Sequence, residues 1–184
     1  MGSKYPIFSF DFTGAKRGVL PASYDYLRLE GRMQYRLNLP PIGYSQLMLE
    51  GGKIFGKVPY LLLKLHEGNG TYFYDRYAFS CMNFYEFSSD AWISFFYEHH
   101  FNGFLLGRVP LLKKLNWREV FVFKGVYGTL SARNDGSLPN TKAVMLFPVG
   151  MSSVEHPYLE TGFGIENIFR LLLSLIHISE PTRQ

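Results

Sequence analysis

Period-two alternation recurs along the chain. In YLRLEGRMQYRLN (26–38), Leu27, Leu29, Met33, Tyr35 and Leu37 fall on one side, and Arg28, Glu30, Arg32, Gln34 and Arg36 on the other. This predicts a strand with one apolar and one charged face. PIFSFDF likewise sets Phe8, Phe10 and Phe12 opposite Ser9 and Asp11. The turn LPPIG, whose prolines end the ladder, leads into a glycine-interrupted strand, YSQLMLEGGKIF (44–55). Further strands are predicted over 91–103, 117–128 and 158–170, about six in all. Residues 56–90 are rich in Gly, Tyr and Asp and only partly strand-like, although FSCMNFYEF within them reads as a packed strand. Residues 104–116 carry Pro110 and a small basic cluster, and 129–157 are polar and loop-like.

A strand with charges on one face and large apolar groups on the other suits two settings. One is a soluble antiparallel sheet with one wet face. The other is a membrane barrel wall, with apolar groups towards lipid and charges towards a watery lumen. Strands of about 10 to 13 residues fit a tilted crossing. Short and long connections alternate, and aromatic residues gather near strand ends, as interfacial girdles require. The predicted fold class is all-β, with antiparallel strands forming part of a transmembrane outer-membrane β-barrel. The alternative is a soluble antiparallel β-sandwich or lipocalin-like ligand-binding protein.

Composition narrows this further. The chain is 17% aromatic and 18% charged, and no apolar run approaches the roughly 18 residues of a spanning helix. The net charge of +4 is spread, with one short pair, Lys113 and Lys114, so no nucleic-acid partner is expected. A single cysteine, Cys81, excludes an internal disulfide framework. The start MGSKYPIF lacks the apolar core of a signal peptide; either the protein stays inside, or this is an internal piece with its export signal upstream.

On the barrel reading, 26–38 descends, 44–55 ascends, 56–90 is outside, 91–103 descends, 104–116 turns in the periplasm, 117–128 ascends, 129–157 is outside and 158–170 descends. The lumen-facing candidates are Arg28, Glu30, Arg32 and Arg36, then Glu98 and His100, then Arg118 and Lys124, then Glu160 and Glu166. Glu119 falls on the lipid side with Phe121 and Phe123, near the turn, where a charge costs less than at the midplane. The segment 56–90 exceeds the length at which connections usually acquire a role. Its candidates are His66, Gly68, Asn69, Gly70, Tyr72, Tyr74, Asp75 and Arg76. They are expected to plug the lumen or meet a partner, with Asp75 and Arg76 pairing with lumen charges.

Chemistry finds little support. In EHH, His99 and His100 point to opposite faces of a strand and cannot share an ion. A metal site from His66, Glu98, His100 and His156 lacks a recognisable ligand spacing. Cys81 lacks a base. Glu160 and Glu166 share a face but stand roughly 20 Å apart, beyond glycosidase spacing. GNG at 68–70 is a tight turn rather than a phosphate loop, and GFGIEN has no βαβ setting. No enzyme activity, cofactor or metal is expected. The expected partner is outer-membrane lipid, with periplasmic or surface proteins as further candidates.

The last twelve residues, LSLIHISEPTRQ (173–184), resemble a translated sequencing adaptor. Residues 1–172 are therefore taken as an incomplete C-terminal part of the barrel domain, and 173–184 as a non-native tail.

Four strings carry a resemblance: GKIFGKVPYLLLKLHEGNGTYFYD (52–75), AFSCMNFYEFSSD (78–90), YEHHFNGFLLGRVPLLKKLNWREV (97–120) and HPYLETGFGIENIFR (156–170). They resemble the C-terminal part of a Bacteroidota outer-membrane family of unassigned function, whose members fuse a carboxypeptidase-regulatory-like β-sandwich to a large barrel. This implies an outer-membrane location and a role in envelope biogenesis, translocation or transport. The layout is also distantly similar to the surface-antigen barrels that include BamA and TamA, in which a long extracellular loop folds back into the lumen. Their Arg-Gly-aromatic loop motif is absent and HEGNGTYFYD stands in its place, so the similarity does not extend to protein insertion.

Overall fold

The computed structural model describes residues 5–18, 24–70, 74–136, 147–154, 156–168 and 172–179. The alternating segments form strands β1 (Ile7–Ala15), β2 (Tyr26–Asn38), β3 (Tyr44–Gly56), β6 (Ala91–His100), β7 (Arg118–Thr129), β9 (Tyr158–Ile168) and β10 (Leu172–Ser179). Together they make one antiparallel seven-stranded sheet in the order β1-β2-β3-β6-β7-β9-β10. Within the described residues the sheet is open, with β1 and β10 at its edges. A second sheet of three short strands, β4 (Lys64–Leu65), β5 (Phe87–Ser89) and β8 (Ser152–Ser153), lies in the two long connections. The all-β antiparallel class is as the alternation predicts.

Three expectations are corrected. The main sheet has seven strands rather than six, because β10 falls on the tail expected to be foreign and pairs with β9 from Leu172↔Ile168 to Ser179↔Glu160. An alternating apolar segment beside an open strand edge pairs whatever its origin, so this pairing carries no functional weight. Secondly, FSCMNFYEF is not a packed strand. It bends through an exposed Cys81, and only Phe87 at its end enters β5. Thirdly, 129–157 is not wholly loop, since β7 runs to Thr129 and Ser152 and Ser153 pair in parallel with Phe87 and Ser88. Residues 137–146 of that stretch, and 169–170 of the last predicted strand, lie outside the described residues.

Register decides the faces. Glu50 stands opposite Arg32 on β2 and Ser94 on β6; Lys124 stands opposite Phe96 on β6 and Glu160 on β9. Directly paired residues share a side, so the charged positions of these strands, Lys53 and Glu119 apart, gather on one face. The β2–β3 turn is tight enough to dictate its sequence. Gly43 has φ +111°, and a Cβ there would lie 1.8 Å from the His100 carbonyl oxygen, so only glycine fits.

The packing is inverted relative to a soluble sheet. Residues 57–70 and 74–90 fold back over the charged face and form the core with it. One apolar cluster joins Met48, Phe96, Val126 and Tyr158 of the sheet to Phe79, Met82, Phe87 and Val154. Another joins Ile54 and Trp92 to Val58 and Leu63. The opposite face is uncovered: Phe12 is 74% exposed and Phe163 50%, and Phe8, Phe10, Leu27, Phe55, Ile93, Tyr127 and Ile176 are exposed with them.

Candidate functional site

The site is the contact between the charged face and the segment that covers it. Its first anchor lies where β3 ends and β6 and β7 meet. The Asp90 carboxylate accepts bonds from the Ser131 amide at 3.0 Å, the Ser131 hydroxyl and Asn134 Nδ2 at 3.2 Å. Asn134, fully buried, also donates to the Gly56 carbonyl at 3.2 Å and accepts from the Val58 amide at 3.0 Å. Both long connections are thereby tied to the strand ends. Gly128 lets them close in, since a Cβ there would stand 2.1 Å from Ser89 Oγ.

Further along the face, Glu50 accepts from Lys64 of the covering segment at 2.6 Å and from Arg32 of β2 at 2.7 Å. Arg28 and Glu30 pair with each other at 2.5 Å. His66 is buried and bonded through Nε2 to Ser89 Oγ at 3.0 Å. Burial, reinforced by Lys64, pulls its pKa down to about 4, so the ring is neutral. A cleft of about 270 Å³ remains here, between Arg32, Glu50, Lys64, His66 and Asp75.

A further anchor lies at Glu98, six residues from Trp92 along β6, roughly 20 Å. Its carboxylate accepts from the Tyr74 hydroxyl, lies 2.5 Å from Arg76 Nε and 3.5 Å from His100 Nε2. Burial, and then the Glu98 charge, push the Tyr74 phenol well above its ordinary range, which keeps it a proton donor. Arg76 also donates to Gln46. His100 bonds Glu166 at 3.1 Å and stacks on Tyr44 at 4.5 Å, and Arg36 of the neighbouring strand lies 4.0 Å over that Tyr44 ring.

Between these anchors Lys124, at 0% exposure, donates Nζ bonds to the carbonyls of Asp75 and Ala78 and stands 4.8 Å over the Tyr74 ring. Glu160 accepts from the amides of Ser80 and Cys81, both at 3.0 Å. Buried charges are costly unless paired or bonded; here the covering segment supplies the partners.

All ten charged candidates share the covered face by register. Glu98, His100, Lys124, Glu160 and Glu166 are gathered around the segment 74–81, directly or through one another. Arg32 reaches Lys64 of the covering segment through Glu50, whereas Arg118, opposite Glu166, is exposed. Of the loop candidates, His66, Tyr74, Asp75 and Arg76 make the contacts described. Gly68 bridges to Phe79, and Asn69 donates to the Phe79 carbonyl at 2.7 Å. Gly70 is exposed, and Tyr72 lies outside the described residues. His99 points to the other face as expected, held between Ser45 at 2.7 Å and the Ile42 carbonyl at 3.1 Å. Among the described residues no group of three His, Cys, Asp or Glu side chains is placed to hold a metal ion.

Sequence reasoning missed Glu50, Lys64, Asp90, Ser131 and Asn134. Glu50 alone carried a signal, as a charged residue between Met48 and Gly52 on the face that alternation assigns to charge.

A long-stranded antiparallel sheet whose charged face is filled by its own connection, and whose apolar face is bare, defines the class of protein. The chain belongs to the family of unknown function DUF5686, whose C-terminal domain matches residues 1–132. No curated protein and no solved structure matches it. The expectation of a family without an assigned function is met.

Proposed function

We propose that this chain is part of the wall of an outer-membrane β-barrel, with the β3–β6 connection folded into the lumen as a plug. The observation that carries this reading is the inverted burial: Lys124, Glu160 and Glu98 are buried while Phe10, Phe12 and Phe163 are exposed. In water that arrangement loses the hydrophobic contribution of a whole sheet face. In a bilayer the same face meets acyl chains, and the charges turn to the interior. Closure needs strands beyond the seven described, since bacterial barrels have at least eight.

The finer reading is a protein of a Bacteroidota-type outer membrane, with a carboxypeptidase-regulatory-like domain upstream. Its role is non-enzymatic, in envelope biogenesis, translocation or transport, with outer-membrane lipid as its first partner. The ion pairs support a structural role, because Glu50 and Glu98 of the sheet hold Lys64 and Arg76 of the covering segment.

The test is made on the full-length protein. It is expected in the outer-membrane fraction, requiring detergent for solubility and migrating faster on gels before boiling than after. A monodisperse, detergent-free protein without heat-dependent migration would contradict the reading and favour a soluble β-sandwich.

A further inference from the structure

The connection between β6 and β7, residues 101–117, has a composition unlike the rest of the chain. FNGFLLGRVPLLKKLNW contains three cations, Arg108, Lys113 and Lys114, and no acidic residue. It is ordered by short-range bonds: Gly107 N to the Gly103 carbonyl at 2.8 Å, Arg108 N to Leu105 at 3.1 Å and Lys113 N to Val109 at 2.9 Å. These build a 3-10 turn (Leu106–Arg108) and one helical turn (Pro110–Lys113). Leu105, Val109 and Leu115 are nonetheless 50%, 45% and 45% exposed, and Arg108, Lys113 and Lys114 are exposed too.

Its direction of folding gives this composition a meaning. Glu119 lies on the apolar face of β7, on the same side as Phe121 and Phe123. Its carboxylate accepts from the Leu106 amide, and it is only 2% exposed. The connection therefore folds over the apolar side of the wall and covers this carboxylate, rather than turning towards the plug. Arg108 lies 4.3 Å over the Phe104 ring on the same segment.

Resting on the membrane-wall reading, we propose that residues 101–117 are an interfacial foot that binds the anionic phosphate headgroups of the adjoining phospholipid leaflet. Leu105, Val109 and Leu115 enter the boundary of the acyl region, and Arg108, Lys113 and Lys114 reach the headgroup layer. Charge complementarity selects the partner: three exposed cations on a segment with no acidic residue of its own favour phosphatidylglycerol-type lipids over zwitterionic ones. Carbonyl and amide bonds fix the foot to the strand ends, with Asn167 Nδ2 donating to the Asn116 carbonyl at 2.8 Å.

The experiment uses the full-length protein in phosphatidylcholine vesicles containing trace spin-labelled phosphatidylglycerol or spin-labelled phosphatidylcholine. The ratio of the two bound fractions is compared with that of a variant carrying Arg108→Gln, Lys113→Gln and Lys114→Gln. The wild type is expected to enrich phosphatidylglycerol, with a loss of at most roughly fivefold for each cation removed. Lys16→Gln with Arg17→Gln, at the opposite end of the wall, is expected to leave the preference unchanged. Heat-modifiable migration of each variant reports that it is folded and inserted. An inserted protein with no phosphatidylglycerol preference, or one whose preference survives the triple substitution, overturns the foot and leaves the wall reading standing. A folded protein that enters neither membrane overturns both.

Discussion

Lys124 and Glu160 face each other across β7 and β9 and grip the same stretch of covering backbone by its opposite poles. The ammonium takes carbonyls at Asp75 and Ala78, and the carboxylate takes amides at Ser80 and Cys81. Neither charge is accessible to water, so each depends on the segment for its remaining bonds. The hold is made on main chain, which places few demands on the side chains of 75–81.

Glu160→Ala is therefore expected to release the covering segment locally. Hydrogen bonds to a charged group contribute about 1.5–3 kcal/mol, so amide exchange at Ser80 and Cys81 should accelerate roughly 10- to 100-fold. Exchange in the middle of β2 should stay as it is. Unaltered protection at both amides would show that the carboxylate does not hold them.

Asn134 makes its own prediction. Its removal leaves the Val58 amide and the Gly56 carbonyl without the partner they have here, each at about 1–3 kcal/mol. Asn134→Ala should lower the unfolding midpoint of the full protein clearly, and Asn134→Asp at least as much, because it sets a second carboxylate beside Asp90. A midpoint equal to wild type in both variants would contradict the anchor.

The pH dependence follows from His66. Its pKa is about 6.5 unfolded and about 4 in place, so between these values the unfolded segment binds more protons. Its contribution is fully present above pH 6.5 and is lost as pH falls towards 4, by up to about 3 kcal/mol. Limited proteolysis of the covering segment should quicken over that window, and His66→Gln should flatten the response attributable to this ring. A wild-type profile identical to that of the variant would rule out the assignment.

The bare face predicts a depth-dependent penalty. Phe163 sits near the middle of β9 and faces outward. Phe163→Arg should destabilise the vesicle-inserted protein by about 2–4 kcal/mol, read as a shift in its folding equilibrium. A soluble sheet with that face in water would gain solubility and lose little.

Much of the sheet was legible because alternation is local. Arg28 to Arg36 declare a charged face within a dozen residues, and Phe8, Phe10 and Phe12 an apolar one. The covering segment was legible as a length and as a set of candidates, of which Arg76 pairs with Glu98 as expected while the Asp75 carboxylate turns to the Tyr77 amide at 2.9 Å, but not as a structure. Its anchors join residues far apart in sequence: 76 positions separate Val58 from Asn134, and 80 separate Ser80 from Glu160. Asn134 in SARNDGS reads as a solvated turn until Asp90 is seen beside it. The strand assigned to FSCMNFYEF failed because its apolar residues pack as single insertions, Phe79 into the core and Met82 likewise between exposed Cys81 and Asn83, while Phe84 and Tyr85 stay exposed, which imitates a strand's composition without its pairing.

The central claim is that the apolar face meets lipid. Nitroxide labels placed one at a time at 93, 127, 159, 161 and 163 in the full-length protein, with Cys81→Ser to remove the native thiol, test it most directly in vesicles. The account predicts strong relaxation by oxygen and weak relaxation by an aqueous nickel complex at every site, with a label at exposed Lys57 showing the reverse. Nickel accessibility at 159, 161 and 163 equal to that at 57 would mean that this face lies in water, and the membrane wall would have to be given up.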